Sequence, residues 1–205
     1  MIKKVIKKVC AGLFVSFAIS SVWSQARKVD VWDFGGVEED GANNYISVED
    51  FDKMEGLGPD GKFAIDGDIT FGNLTMNVVK NDRAYYSGKK NYGSQGYVNT
   101  EFEDDYTSHG IWYCNGKGGE KRRFLLLKNV NAGDVVTFYA RLSNSGDETI
   151  HFASLDSEGL KDDRQDEVAP ISNESTRYSY IAKFSGQYKV YCDAAVGKPV
   201  YYRIT

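Results

Sequence analysis

The chain is 205 residues long, 41% hydrophobic and 14% aromatic, with 21 glycines and three cysteines. Four of its 25 basic residues fall in the first eight positions, so the chain beyond them sets 21 basic against 29 acidic residues, a net charge of −8. That balance argues against a nucleic-acid partner, and the length suits one domain with its own core rather than a disulfide-stapled miniprotein.

Residues 1–26 read as a secretory signal peptide. Lys3, Lys4, Lys7 and Lys8 give the positive start, Val9 to Val22 the apolar run, and Ser24-Gln25-Ala26 the small residues around a cleavage after Ala26. Val22-Trp23-Ser24 offers a second cut. The run is short for a bilayer span, and no other stretch approaches the ~20 apolar residues a spanning helix needs. The expected destination is the periplasm or the exterior, with residues 27–205 as a single domain lacking a transmembrane segment.

Beyond the leader, Val29 to Phe34 alternates two faces and stops at Gly35-Gly36, as a first strand would. Ser47 followed by Asp50 is a capping-box arrangement, and Val48, Phe51 and Met54 recur at helical spacing, which predicts a short helical turn near 47–55. Gly56-Leu57-Gly58-Pro59-Asp60-Gly61 spells the dinucleotide fingerprint, but it follows a helical turn instead of a strand and contains Pro59, so it reads as a turn. Leu74 to Val79 is the clearest strand before a long polar, Gly- and Tyr-rich loop from Tyr85 to Asp105.

Strands are then expected over 110–114, 122–127, 135–142 and 149–154. An acidic loop follows from Asp156 to Glu167. Tyr178 to Phe184 and Gln187 to Cys192 read as a hairpin over Ser185-Gly186, and Val200 to Ile204 as the last strand. Strands every 8–12 residues or so predict an all-β, antiparallel β-sandwich of the jelly-roll type. In an oxidising compartment Cys114 and Cys192 could pair as one disulfide. The alternative is two buried thiols, which the shared strand face of Tyr188, Val190 and Cys192 favours.

The run Arg123-Phe124-Leu125-Leu126-Leu127, then Asn131-Ala132-Gly133-Asp134-Val135, resembles a recurring phrase of extracellular β-sandwich modules. The endings Phe184-Ser185-Gly186-Gln187-Tyr188 and Lys198-Pro199-Val200-Tyr201-Tyr202 resemble their final strands. The opening Val31-Trp32-Asp33-Phe34-Gly35-Gly36 is similar to the start of non-catalytic jelly-roll modules attached to bacterial pectate lyases. This resemblance implies a galactose-binding-like fold of the carbohydrate-binding-module kind, in some cases with one structural calcium and no other cofactor. Asp66-Gly67-Asp68 resembles the start of a calcium loop but lacks EF-hand spacing, so no metal ligands are defined. Outer-layer proteins of spirochaete flagellar filaments resemble the same sandwich, which keeps a structural role open.

Catalysis has few candidate groups. The chain has two histidines, His109 and His151. His151 alternates with Ile150 and Phe152, which predicts an exposed position. Neither a zinc-ligand spacing nor a Gly-x-Ser-x-Gly elbow occurs. The chain is therefore expected not to be an enzyme, with paired carboxylates in a polysaccharide-degrading enzyme as the weaker alternative. Tyr85, Tyr86, Tyr92, Tyr97 and Trp112 crowd the aromatic-rich middle together with Tyr106 and Tyr113, and Lys121, Arg122 and Arg123 follow. Aromatic rings cover the C–H face of a sugar while Arg forks grip carboxylates. Only one of Trp112 and Tyr113 can face such a ligand, because strand neighbours point opposite ways. Trp32 is expected in the core. The expected function is binding of an anionic polysaccharide or glycan. The alternative is a subunit of a surface or filament-sheath assembly, through self-association or other surface proteins.

Overall fold

The computed structural model describes residues 27–87, 98–144, 146, 148–193 and 197–205. Residues 1–26, expected as a leader, and Tyr92 and Tyr97 lie outside the described residues. The chain runs β1 (Asp30–Asp33), β2 (Asn43–Asn44), α1 (Val48–Asp52), β3 (Gly67–Phe71), β4 (Leu74–Val78), β5 (Arg83–Tyr86), β6 (Gly110–Tyr113), β7 (Leu125–Val130), β8 (Val135–Leu142), β9 (Glu148–Leu155), β10 (Lys161–Ile171), β11 (Thr176–Ile181), β12 (Gly186–Asp193) and β13 (Pro199–Ile204). Among the described residues no helix is long and apolar enough to cross a membrane.

Two sheets face each other. One has the order β10-β9-β12-β7-β4-β3, the other β11-β8-β13-β1-β2, with β6 also on β13 and β5 on β6. All pairs are antiparallel except β1 with β2. The last eight strands make a jelly roll: β6-β13-β8-β11 faces β7-β12-β9-β10, and successive strands repeatedly cross between the layers. Alternation sets the core. In β8, Val136, Phe138, Ala140 and Leu142 point between the sheets, as do Ile150 and Phe152 of β9 and Tyr188, Val190 and Cys192 of β12. Trp32 is buried, stacks on Tyr45 at 5.0 Å and donates its indole N–H to the Phe71 carbonyl.

The helical turn is α1. Ser47 caps it by accepting from the Asp50 amide at 3.2 Å, while the Asp50 carboxylate accepts from the Ser47 amide at 2.7 Å. Gly58 to Gly61 is a tight turn, as its context requires.

Two strands share one edge of β13. β6 pairs with Val200 and Tyr201, and β1 with Arg203 and Ile204. A register shift between Tyr201 and Arg203 leaves Tyr202 as the extra residue of a bulge. Where β1 ends and β6 begins, the backbones almost touch. A Cβ on Gly110 would lie 2.2 Å from the Phe34 carbonyl oxygen. Gly35, from the run at the chain's first strand, meets the Gly110 amide in the same way at 2.6 Å.

Two expectations are corrected, and of the two readings of the cysteines the buried thiols hold. Tyr178–Phe184 and Gln187–Cys192 are not a hairpin: β11 pairs with β8 and β12 with β7 and β9, so the turn over Ser185-Gly186 bridges the two sheets. Local turn chemistry cannot tell a hairpin from such an arch, since both need a tight reversal. The acidic stretch from Asp156 is largely strand: β10 begins at Lys161 and pairs with β9 along an outer edge. There its charges suit an edge that must not pair with another chain. Cys114 and Cys192 are buried free thiols and form no disulfide. Burial holds the Cys192 thiol up at about 12.

Candidate binding face

The aromatic-rich middle of the sequence converges on the outer face of the sheet that contains β13. Cross-strand register lines up Arg83, Tyr113, Val200 and Arg141 across β5, β6, β13 and β8. The next row runs through Tyr85 and Ile111, then past Tyr139 to Arg177 of β11. Tyr202 follows Val200 on this same outer side by alternation, and the bulge in β13 adds Arg203, opposite Tyr139, to it. Tyr85, Phe102, Ile111, Tyr113, Tyr139, Val200 and Tyr202 form a second apolar cluster, separate from the inter-sheet core.

An arm of residues 98–108 lies over part of this face. Its own backbone pairs it as a narrow loop: Asn99 donates to the Ser108 carbonyl, Ser108 to Thr100 and Phe102 to Tyr106. The Phe102 ring packs edge-on against Tyr139 and Tyr202, each at 5.1 Å. Polar contacts fix the arm at both ends. The Tyr106 hydroxyl donates to Asp33 Oδ2 at 2.8 Å, and the Tyr139 hydroxyl donates to Asp104 Oδ2 at 2.7 Å. Arg177 Nε lies 3.2 Å from that same Asp104 oxygen.

Four arginines border the rings. Arg83 stands 5.5 Å from the Tyr113 ring centre and Arg203 4.9 Å from that of Tyr106, while Arg203 also pairs with Glu39. The buried Nε atoms of Arg83 and Arg203 have no hydrogen-bond partner among the described residues. A buried donor left unmade costs about 1–3 kcal/mol. Burial raises the Asp33 carboxyl, against the pull of the Tyr106 hydroxyl, the Gly35 amide and Arg203. Burial and the Asp104 carboxylate raise the Tyr139 phenol, and burial with Asp33 lifts that of Tyr106 further still. The phenols therefore stay protonated; the rings of Tyr85, Tyr113, Tyr139 and Tyr202 are buried, so what the face presents to solvent is mainly its guanidinium groups.

The residues expected to bind fare unequally. Tyr85 lies on this face, buried in the cluster, and half-buried Tyr86 packs beside it. Trp112 is a correction: it is fully buried between the sheets, stacked on Tyr201 at 5.2 Å, and its neighbour Tyr113 takes the outer position. Arg123 is a second correction. It is buried in an ion pair, its Nε 2.8 Å from Asp82 Oδ1, and its NH1 donates to the Lys117 carbonyl. Lys121 and Arg122 are exposed, but their loop lies over the other sheet, where the Glu120 carbonyl accepts from Lys189 of β12. Sequence reasoning missed Tyr139, Tyr202, Arg83, Arg141 and Arg177. The alternation in β8 does put Tyr139 and Arg141 on one side, but only tertiary register shows that Tyr113 and Arg83 join them. His151 faces outward as expected yet is largely covered, stacked on Tyr191 at 4.5 Å and bonded to Asp166 at 2.9 Å. Among the described residues no group of three or more His, Cys, Asp or Glu could hold a metal ion. Asp66 and Asp68 are bonded instead to the Lys80 amide and to Asn77.

A second concavity, about 300 Å³, opens between β1 and β8 over Trp32, Leu127, Val130 and Val136. Arg27 and Asp134 pair across its rim at 3.0 Å. Val29 and Val135 border it, and Val135 stands directly opposite Ile181. These three are 52%, 60% and 60% exposed, an apolar strip on an otherwise polar edge.

Fold and face together define an all-β sandwich with a ring-lined outer sheet. No protein-family model matches the sequence, and no curated protein matches it. Among solved structures, a family two carbohydrate esterase from Cellvibrio japonicus is similar over 46% of this chain at 14% identity and a TM-score of 0.27; the chain spans 29% of that esterase. The carbohydrate-binding module TmCBM61, solved with β-1,4-galactotriose, aligns over 60% of this chain and 80% of its own at 9% identity and a TM-score of 0.31. The BiXyn10A module CBM1, in its apo form, aligns over 87% and 96% at 10% identity and a TM-score of 0.31. Likenesses this loose transfer no residue and no ligand to this chain.

Proposed function

We propose that this protein is an exported, non-catalytic module that binds a polysaccharide of the anionic class on the tyrosine face. The observation that carries this reading is the row Arg83–Tyr113–Val200–Arg141, in which two partly exposed guanidinium groups stand at either end of a buried ring and a buried valine. Stacking supplies area without charge, and the arginines supply the preference for carboxylate over hydroxyl. Affinity electrophoresis of the protein in gels holding polygalacturonate or a neutral galactan tests it. The wild type should be retarded by the uronate polymer, and Arg83→Gln with Arg141→Gln should lose most of that retardation with little loss of stability, both side chains being partly exposed. Wild-type mobility unchanged by both polymers, or a double variant retarded like the wild type, would sink the reading.

The strip of Val29, Val135 and Ile181 beside the second concavity favours an alternative, a subunit that assembles through this edge. In that case light scattering should give an oligomer for the wild type and a monomer for Val135→Asp combined with Ile181→Asp. A monomeric wild type up to about 100 µM removes the alternative, since assembly through so small a surface is at best weak.

A further inference from the structure

We propose that the arm over the tyrosine face is an internal competitor: Asp104 at its tip holds the donors that the carboxylate of an acidic glycan would take, so binding requires the tip to leave. This rests on the reading that the tyrosine face is the glycan site. The geometry is that of a bound anion. One oxygen of Asp104 accepts from the Tyr139 hydroxyl at 2.7 Å and lies 3.2 Å from Arg177 Nε. A uronate carboxylate beside a ring would seek that same pair of donors. The remaining tip residues, Glu103 and Asp105, are exposed, so the contact to the face is made by Asp104.

The contact is built to be reversible. Asp104 is about one-third exposed and Arg177 more so, and ion pairs with that much water are readily exchanged for other partners. What keeps the tip in place is the Phe102 ring wedged against Tyr139 and Tyr202 and the anchor from Tyr106 to Asp33. Releasing the tip therefore also loosens the arm's own pairing at Phe102 and Ser108. The Tyr139 phenol and the Arg177 guanidinium are then free for a ligand, next to rings already in place. A ligand that binds by displacing a covalently tethered competitor binds less tightly than the bare face would allow, by the fraction of time the tip is away.

Asp104→Asn tests this in the otherwise unaltered protein, with Glu103→Gln as a control that removes the same charge from an exposed position. Calorimetric titration with a galacturonate tetramer and with the corresponding galactose tetramer gives the affinities. Hydrogen exchange at the Phe102 and Ser108 amides, which pair within the arm, reports whether the arm moves. Asp104→Asn is expected to bind the uronate at least ten-fold more tightly than the wild type, with the neutral tetramer unchanged and Glu103→Gln like the wild type. Uronate should also speed exchange at those two amides in the wild type. If Asp104→Asn and the wild type bind uronate equally while the Arg83 and Arg141 variants still lose it, the competitor is disproved and the binding face stands. If neither tetramer binds any variant, including one whose arm amides exchange faster, the binding face falls and the competitor with it.

Discussion

Arg123→Ala should lower the stability of this protein by about 3–5 kcal/mol, the range for removing one partner of a buried ion pair. For a domain of this size that is roughly 6–20 °C in melting temperature, at about 2–4 °C per kcal/mol. The cause is the company Asp82 keeps. Its carboxylate is fully buried and accepts from Arg123 Nε, the Val79 amide and the Asn115 amide. The two amides satisfy its geometry but not its charge. Arg123 also ties the loop after β6 to the turn before β5, through the Lys117 carbonyl and through its own amide to Asn77. Its backbone sits at φ 55°, a conformation the loop sustains only while these contacts hold.

The deficit should shrink in acid. Burial already raises the Asp82 carboxyl, and losing the guanidinium raises it further, so protonation relieves the variant more than the wild type. Its cost is then full at neutral pH and falls as the pH drops through the raised titration of Asp82. Thermal melts at pH 7 and pH 4 check this. A neutral-pH loss below about 1 kcal/mol would show that water reaches Asp82. The companion expectation is that Arg123→Ala, while folded, binds glycan as the wild type does, because Arg123 faces away from the tyrosine side.

The second large effect is at Gly110. A methyl group there would stand 2.2 Å from the Phe34 oxygen and 2.6 Å from the Gly35 Cα, all of it backbone with nothing flexible to yield. Gly110→Ala must push β1 and β6 apart along the edge of β13 that they share. Forcing atoms into a packed interior costs about 1–3 kcal/mol and occasionally more, and the loss here should reach or exceed the upper end. Gly67→Ala is the control. A Cβ there meets nothing within 4 Å and φ is not positive, so its effect should stay within about 0.5 kcal/mol. Urea midpoints of the two variants measure the contrast, and equal midpoints would mean that the crossing of β1 and β6 is looser than drawn.

The fold class was legible because it rests on period-two alternation, which Val135–Leu142, Glu148–Leu155 and Gly186–Asp193 display clearly. The helix start was legible because Ser47 and Asp50 satisfy each other within four residues. Pairing was not. Nothing near Ser185 tells whether the chain turns within a sheet or between sheets, because that choice is made by β8 and β9, dozens of residues upstream. The candidate face was half legible: the tyrosines of β5 and β6 stand out as a crowd, but Tyr139 and Tyr202 arrive from distant strands, and Arg203 joins them only through a bulge that breaks the alternation. Arg123 misled for a plain reason. A cluster of basic residues looks like a surface, and the single carboxylate that claims one of them, Asp82, sits 41 positions away in sequence.

The sharing of β13's edge by β1 and β6 also bears on how the chain folds. β1 contributes residues 30–34 to a sheet whose matching residues, 202–204, come some 170 positions later. β6 reaches the same strand from a middle distance. Contacts of such long range are the slowest to form, since the intervening chain must first be confined. The hairpin of β9 with β10 needs only local closure and can form early. β1 is then the last piece to dock, and until it does the inner edge of β13 beyond Tyr201 stays open. A ribosome-bound chain could order its middle but not seal this sheet before residues 202–204 have emerged, so β1 waits unpaired through most of synthesis.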